Sequence, residues 1–255
     1  MSNLNEKLSD IRENGYQLSP FNVMSEAFVY FKRSFLLITI SLLTVILFLS
    51  FISSLFISRY IDADSPDLQE QINGIINLLL QPPYIYYYII GVTILTALSS
   101  VLLAGYLKVN AEISQGKKPS FLTVFKYFVS KKGIYIFLAQ LLISSVFSLI
   151  TFALQLKNLQ MVSMAINWLI NTLTIFITPL IIFGNQKPLE AIKNSIMVVN
   201  KQPVPIILTV VLNYFLVLSG LFFFVIGFLF TLPYLFSIYF TLYKQVIGYI
   251  PEEKD

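Results

Sequence analysis

Long stretches without charge constrain this chain more than any other feature. Asp, Glu, Lys and Arg are absent from windows 34–58, 71–107, 133–156, 158–186 and 202–243. Each exceeds the roughly 20 residues that a helix needs to cross the hydrocarbon core of a bilayer. A soluble domain carries about 25% charged residues; here the figure is 12%, against 56% hydrophobic residues. Too few polar side chains remain to cover a water-facing surface. The expected fold class is therefore all-α, a polytopic membrane protein. The same composition argues against a disordered chain, a disulfide scaffold and a nucleic-acid binder.

Window lengths set the span count. As one straight helix, window 202–243 would be about 63 Å long, twice the core thickness. It must fold back, most plausibly near Gly220 or Gly227. Gln81, Pro82 and Pro83 interrupt window 71–107, leaving Tyr84 to Tyr106 as its crossing. Six transmembrane helices are expected, at about 35–58, 84–106, 134–155, 161–183, 204–222 and 226–244. The first apolar run starts too late and is too long for a cleaved signal, so it is expected as an uncleaved span.

Lys and Arg orient the chain. With an inner N-terminus, inner segments hold 15 of the 17, and only Arg59 and Lys157 lie outside. Cytoplasmic loops carry this kind of excess. Both termini are expected in the cytoplasm of a bacterium, with the spans in its cytoplasmic membrane. Tyr86, Tyr87 and Tyr88 then fall where an outer aromatic belt belongs.

The inner segments share a pattern. Pro20, Pro119 and Pro188 each stand where a helix would open, and Arg33, Lys132 and Lys201 follow thirteen residues later. Apolar positions match between them, as in Val23, Leu122 and Ala191, or Tyr30, Val129 and Val198. We expect cytoplasmic interfacial amphipathic helices, each leading into a pair of spans. Lys32, Arg33, Lys131, Lys132 and Lys201 are the expected headgroup-facing cations. The result is a three-fold parallel internal repeat with units 17–116, 117–186 and 187–244, inside one membrane domain at 17–244. Segments 1–16 and 245–255 are expected as cytoplasmic tails. The first unit carries an insertion, in which Ser65, Pro66 and Asp67 precede the helical spacing of Leu68, Ile72, Ile75, Ile76 and Leu79. Asp62, Asp64, Asp67 and Glu70 fail the spacing of a calcium loop, so no metal is expected.

No span contains an ionisable Asp, Glu, Lys, Arg or His, which disfavours a carboxylate proton relay. What polarity there is falls on helical faces. Gln140, Ser144, Ser148, Thr151 and Gln155 share one face of the third span, and Asn167, Asn171, Thr174 and Thr178 one face of the fourth; the fifth span adds Thr209 and Asn213, and the second adds Thr93, Ala97, Ser100 and Ala104. Small and amide side chains commonly hydrogen-bond transmembrane helices together, and that is the favoured reading. The alternative is a polar lining for a substrate or a lipid headgroup. Cys and His are absent, no serine–lysine dyad or paired carboxylates arise at depth, and no phosphate loop is present. No enzyme activity and no cofactor are expected.

The stretches Gly105-Tyr106-Leu107-Lys108, Gly116 through Phe125, Pro179 through Ile182 and Glu190 through Ser195 resemble a group of bacterial six-span proteins. That group includes the membrane domain attached to some glycerophosphodiester phosphodiesterases, together with related families of unknown function. The likeness rests on spacing and a few Gly, Pro and Lys positions. It implies a six-helix membrane domain with cytoplasmic connectors and no established catalytic residues. The chain has no room for the phosphodiesterase domain and no histidine for its chemistry. The expected function is a non-catalytic scaffold or accessory that binds membrane lipids or a partner protein. The alternative is a small-molecule or lipid transporter using the polar seam.

Overall fold

The computed structural model describes residues 2–58 and 67–249. Arg59, Asp62, Asp64, Ser65, Pro66 and Glu252 lie outside the described residues. Within them, all regular structure is helical. The helices are α1 (Ser2–Asn14), α2 (Pro20–Ile57), α3 (Leu68–Leu79), α4 (Tyr84–Ser114), α5 (Phe121–Phe125), α6 (Lys131–Gln155), α7 (Gln160–Leu173), α8 (Ile177–Ile182), α9 (Pro188–Lys201), α10 (Pro203–Ser219) and α11 (Phe224–Val246). Among the described residues, five stretches are long and apolar enough to cross a membrane: Pro20–Leu55, Tyr84–Ser114, Lys131–Gln155, Gln160–Ile182 and Pro203–Phe222.

Local sequence explains where these helices start and stop. Gln81, Pro82 and Pro83 separate α3 from α4, as expected. A short 3₁₀ turn over Gly220–Phe223 divides α10 from α11. There a Cβ on Gly227 would lie 1.9 Å from the Gly220 carbonyl oxygen, so the two backbones meet where only glycine fits. The Thr231 hydroxyl reaches the Val217 carbonyl at 3.5 Å, showing that the chain folds back on itself.

The three proline segments differ from one another. Pro188 opens α9, and Pro203 stops it from running into α10. Pro119 stands one residue too early: Ser120 is the N-cap of a five-residue α5, which passes through a 3₁₀ turn over Lys126–Val129. Ser130 then caps α6 by accepting from the Gly133 N–H at 3.1 Å. Nothing comparable interrupts the first segment. Between Pro20 and Ile57 there is no further Pro and no Gly, so α2 continues for 38 residues, about 57 Å at the usual rise.

The ends of the chain join the packed body. Leu8 and Ile11 of α1 are buried, and α1 rests on α9, whose Val198 carbonyl accepts from the Tyr16 hydroxyl at 3.1 Å. Val246 and Ile247 are buried as well. Segment 2–16 and residues 245–249 are thus docked parts of the fold, each burying apolar side chains.

The closest partner of α2 is α11. Phe31 meets Tyr234 edge-on at 5.5 Å and Phe35 stacks on Phe230 at 5.1 Å. At the chain-terminal end, the Lys244 ammonium lies 2.7 Å from a Glu26 carboxylate oxygen, and the Gln245 amide donates to the other oxygen at 2.7 Å. The pair is partly exposed, so its charge attraction contributes little by itself. Its main effect is to fix the register of the first long helix against the last. Helix α4 packs mainly on α6 and also on α11, where Tyr106 stacks on Phe236 at 4.4 Å. Buried Ser237 donates to Asn110 at 2.9 Å across the same contact.

The region expected as one span at 161–183 is broken. Pro179 lacks an N–H and its ring excludes a regular turn four residues earlier, at Ile175. Helix α7 ends at Leu173 and α8 begins at Ile177. Ser195 of α9 enters the gap: its hydroxyl donates to the Leu173 carbonyl at 2.7 Å and accepts from the Phe176 N–H at 3.2 Å. Lys132 closes the far end of α8 by donating to the Ile182 carbonyl at 2.6 Å.

Two substitutions test this packing. Ser195→Ala leaves a buried donor and acceptor without partners, and should lower stability by about 1–3 kcal/mol, read as a fall in unfolding midpoint in detergent. A Cβ on Gly105 would lie 1.8 Å from the Val124 carbonyl oxygen, whereas one on Gly91 meets nothing within 4 Å. Gly105→Ala should therefore cost about 1–3 kcal/mol or prevent α5 from docking, while Gly91→Ala leaves the midpoint unchanged or raises it.

Candidate functional site

The polar faces found in the sequence converge on two adjoining cavities. The first, of about 300 Å3, is enclosed by Thr93 and Thr96 of α4, Gln140, Ser144 and Ser148 of α6, and Asn167 and Asn171 of α7. The second, of about 340 Å3, is lined by Thr96, Ser99 and Ser100, by Gln140, by Asn171, Thr174 and Thr178, and by Tyr214 of α10 and Tyr239 of α11. Thr96, Gln140 and Asn171 border both, so the two adjoin as one passage whose walls mix these polar side chains with apolar ones such as Ile143, Phe147, Leu103 and Phe236.

The shape of α7 and α8 creates this space. All six residues of α8 are buried, and the helix packs on α4, α6 and α9. Helix α7 buries only Ser163 and Thr172, and it touches α10 only slightly. The break at residues 174–176 lets α8 stay in the core while α7 stands away from α10. Asn167 and Asn171 are consequently exposed to the cavities rather than packed.

Hydrogen bonding bears on how the seam works. Gln140 donates to Ser144 at 3.2 Å and Asn171 donates to Asn167 at 2.8 Å, each along its own helix. Thr174 donates to the Ile170 carbonyl at 2.7 Å, also within its helix. The amides of α6 and α7 therefore do not clasp each other. Contacts of the clasping kind occur at the margin, where the Thr93 and Ser148 hydroxyls lie 3.4 Å apart and Ser163 donates to Thr151 at 3.3 Å. Thr151 thus joins α6 to α7 and does not line either cavity. Asn213 also lies off the passage, fully buried on α10 with its amide oxygen unpartnered.

A third space adjoins the first. An apolar groove of about 740 Å3 runs between α4 and α6, walled by Ile90, Phe137, Leu141 and Phe152 among others. It shares Thr93 and Ser148 with the polar cavity, so that hydroxyl pair stands on the boundary between an apolar groove and a polar interior. Neutral amides and hydroxyls can orient carbonyls, hydroxyls and phosphate oxygens, but they do not titrate.

The cations expected at headgroup level are mostly exposed. Lys32 lies 4.6 Å over the Phe28 ring and Lys131 5.8 Å over the Tyr135 ring. Arg33 and Lys201 are exposed; Lys132 instead serves α8, as above. Among the described residues no group of three Asp or Glu side chains gathers as a metal site. Sequence reasoning missed Ser195, because its partners are backbone groups twenty residues away; the only local signal was Pro179 inside an apolar run. No family model, curated protein or solved structure matches this chain.

Proposed function

We propose that this chain is a six-span protein of the bacterial cytoplasmic membrane that binds a membrane lipid between its helices and acts, without catalysis, as an accessory or scaffold. One observation carries the binding reading. Gln140, Asn167 and Asn171 each find a hydrogen-bond partner within their own helix and still border an open passage. Seam residues that served only to join helices would bond across the gap. The apolar groove meeting this passage at Thr93 and Ser148 favours an amphiphile over a small ion. The resemblance to membrane domains of glycerophosphodiester phosphodiesterases points to lipid by association.

In this proposal α11 is the sixth span, since it has 23 residues and no charge before Lys244. Both termini face the cytoplasm, together with α9 and the end of α4. Three hairpins, α2 with α4, α6 with α7 and α8, and α10 with α11, follow one another around the centre. They would be related by an axis along the membrane normal.

A transporter of a lipid or small molecule is the second reading, supported by the continuity of the two cavities through Thr96, Gln140 and Asn171. Purified protein in nanodiscs should retain lipid detectable by native mass spectrometry. Gln140→Leu combined with Asn171→Leu should weaken retention about tenfold, the scale of one or two lost hydrogen bonds. Retention unchanged in that variant would remove the binding reading. Flux of lipid or solute in liposomes, abolished by the same variant, would select the transporter.

Topology has its own test, made simple by the absence of cysteine. A cysteine replacing exposed Leu156 should react with an impermeant thiol reagent in intact cells. Cysteines at Ser114 and Asn185 should react only after permeabilisation; labelling of either from outside would refute the orientation.

A further inference from the structure

A second site lies at the other level of the molecule, where the α4–α5 linker passes α2. Helix α4 ends at Ser114, and Gly116 follows with φ +73°. The Gly116 N–H donates to the Ile113 carbonyl at 2.9 Å and the Lys117 N–H to the Glu112 carbonyl at 3.0 Å. A left-handed glycine closing a helix in this way reverses the chain sharply. The reversal sets Lys117 and Lys118 beside Arg33 of α2, and the three cations border one cavity of about 450 Å3. Its other walls are Leu37, Ile113 and Pro119, and no carboxylate lines it.

Among the described residues, the nearby acids have other partners. Glu112 accepts from the Thr123 hydroxyl at 3.4 Å, and Glu26 is held by Lys244 and Gln245. Two other cations have protein partners: Lys132 has the Ile182 carbonyl and Lys244 has Glu26. Arg33, Lys117 and Lys118 are exposed and form no ion pair among the described residues. Three like charges brought together repel one another, and an anion at their centre relieves that repulsion. An Arg beside two Lys suits a phosphate, because guanidinium binds two oxygens at once and ammonium groups supply point charge.

We propose that Arg33, Lys117 and Lys118 form a binding site for the phosphate of an anionic phospholipid headgroup. Two placements favour a lipid over free phosphate. Arg33 is the last charge before the long apolar run of α2, so the pocket sits at headgroup level. Leu37, one turn further along, and Ile113 provide an apolar wall on which the glycerol and the first acyl carbons can lie. The site is separate from the cavities between α4, α6 and α7, and neither depends on the other.

The test uses the full chain in detergent, titrated with phosphatidylglycerol and with phosphatidylcholine and read by native mass spectrometry. The wild type should retain phosphatidylglycerol in preference to phosphatidylcholine. The triple variant Arg33→Gln, Lys117→Gln, Lys118→Gln should bind phosphatidylglycerol about tenfold less tightly, as expected for several lost charge-assisted hydrogen bonds. A charge-matched control at exposed lysines outside any assigned site, Lys126→Gln, Lys187→Gln, Lys193→Gln, should bind as the wild type does. Arg33→Lys keeps the charge and should lose part of the affinity, which guards against misfolding of the triple variant. Equal loss in the control, or none in the triple variant, would overturn the site. Displacement of bound lipid by equimolar glycerol phosphate would assign the pocket to a soluble phosphate and overturn the lipid reading.

Discussion

The hydroxyl of Ser195 is the interaction on which most of this architecture depends. Pro179 forces a gap in the helical ladder, and the gap is buried, so water does not satisfy the groups that it exposes. A hydroxyl both donates and accepts, so one side chain repairs both sides of the break. The repair requires α9 to lie against the break. Helix α9 in turn holds α1, and Tyr16 ties the following segment to the Val198 carbonyl. The same break frees α7 to diverge from the core. A repaired discontinuity thus organises the packed end of the molecule and opens the space between α4, α6 and α7.

Packing is distributed unevenly along the long axes. Tyr106 through Ala111, Ile177 through Ile182 and Phe240 through Tyr243 form continuous buried runs at one end. Toward the other end, α3 buries nothing and the first half of α4 buries only Thr93 and Ala97. Spans without charge cannot be joined by ion pairs, so the tight end relies on glycine contacts, stacked rings and hydroxyls that bond their own backbone. Local stability falls where contact density falls, and sites that must admit a ligand are drawn from such regions. The cavities occupy the transition between the two.

Much of this was legible in the sequence, and the failures have physical causes. Charge-free windows located the long apolar helices, the Pro82–Pro83 pair divided α3 from α4, and Gly220 marked the turn before α11. Helix α1 was also written in the chain, with Leu4, Leu8 and Ile11 at helical spacing, but its dense charges resemble those of a solvated tail. The continuity of α2 could have been read from the lack of Gly and Pro after Pro20. It was obscured by the assumption that three similar segments must end alike. Ser195 could not be found locally, since its role exists only once α9 lies beside the break. Asn213 and Thr151 fell on the right helical faces, yet which neighbour each face meets is a property of the packing.

The seam shows most clearly where periodicity stops being informative. Amides at i and i+4 lie on one side of a helix, which points them at a common neighbour and also brings them within reach of each other. Gln140 with Ser144, and Asn171 with Asn167, take the second option. This choice removes much of the cost of leaving polar groups unclasped in an apolar surrounding, where an unsatisfied amide is expensive. It also makes the groups available. An interhelical hydrogen bond in a membrane is worth only about 0.6–2 kcal/mol, so a ligand carbonyl or phosphate oxygen can exchange with an intrahelical partner at little net cost. A cavity lined in this way is stable when empty and receptive when filled. A seam clasped across its helices would have to be broken before anything could enter.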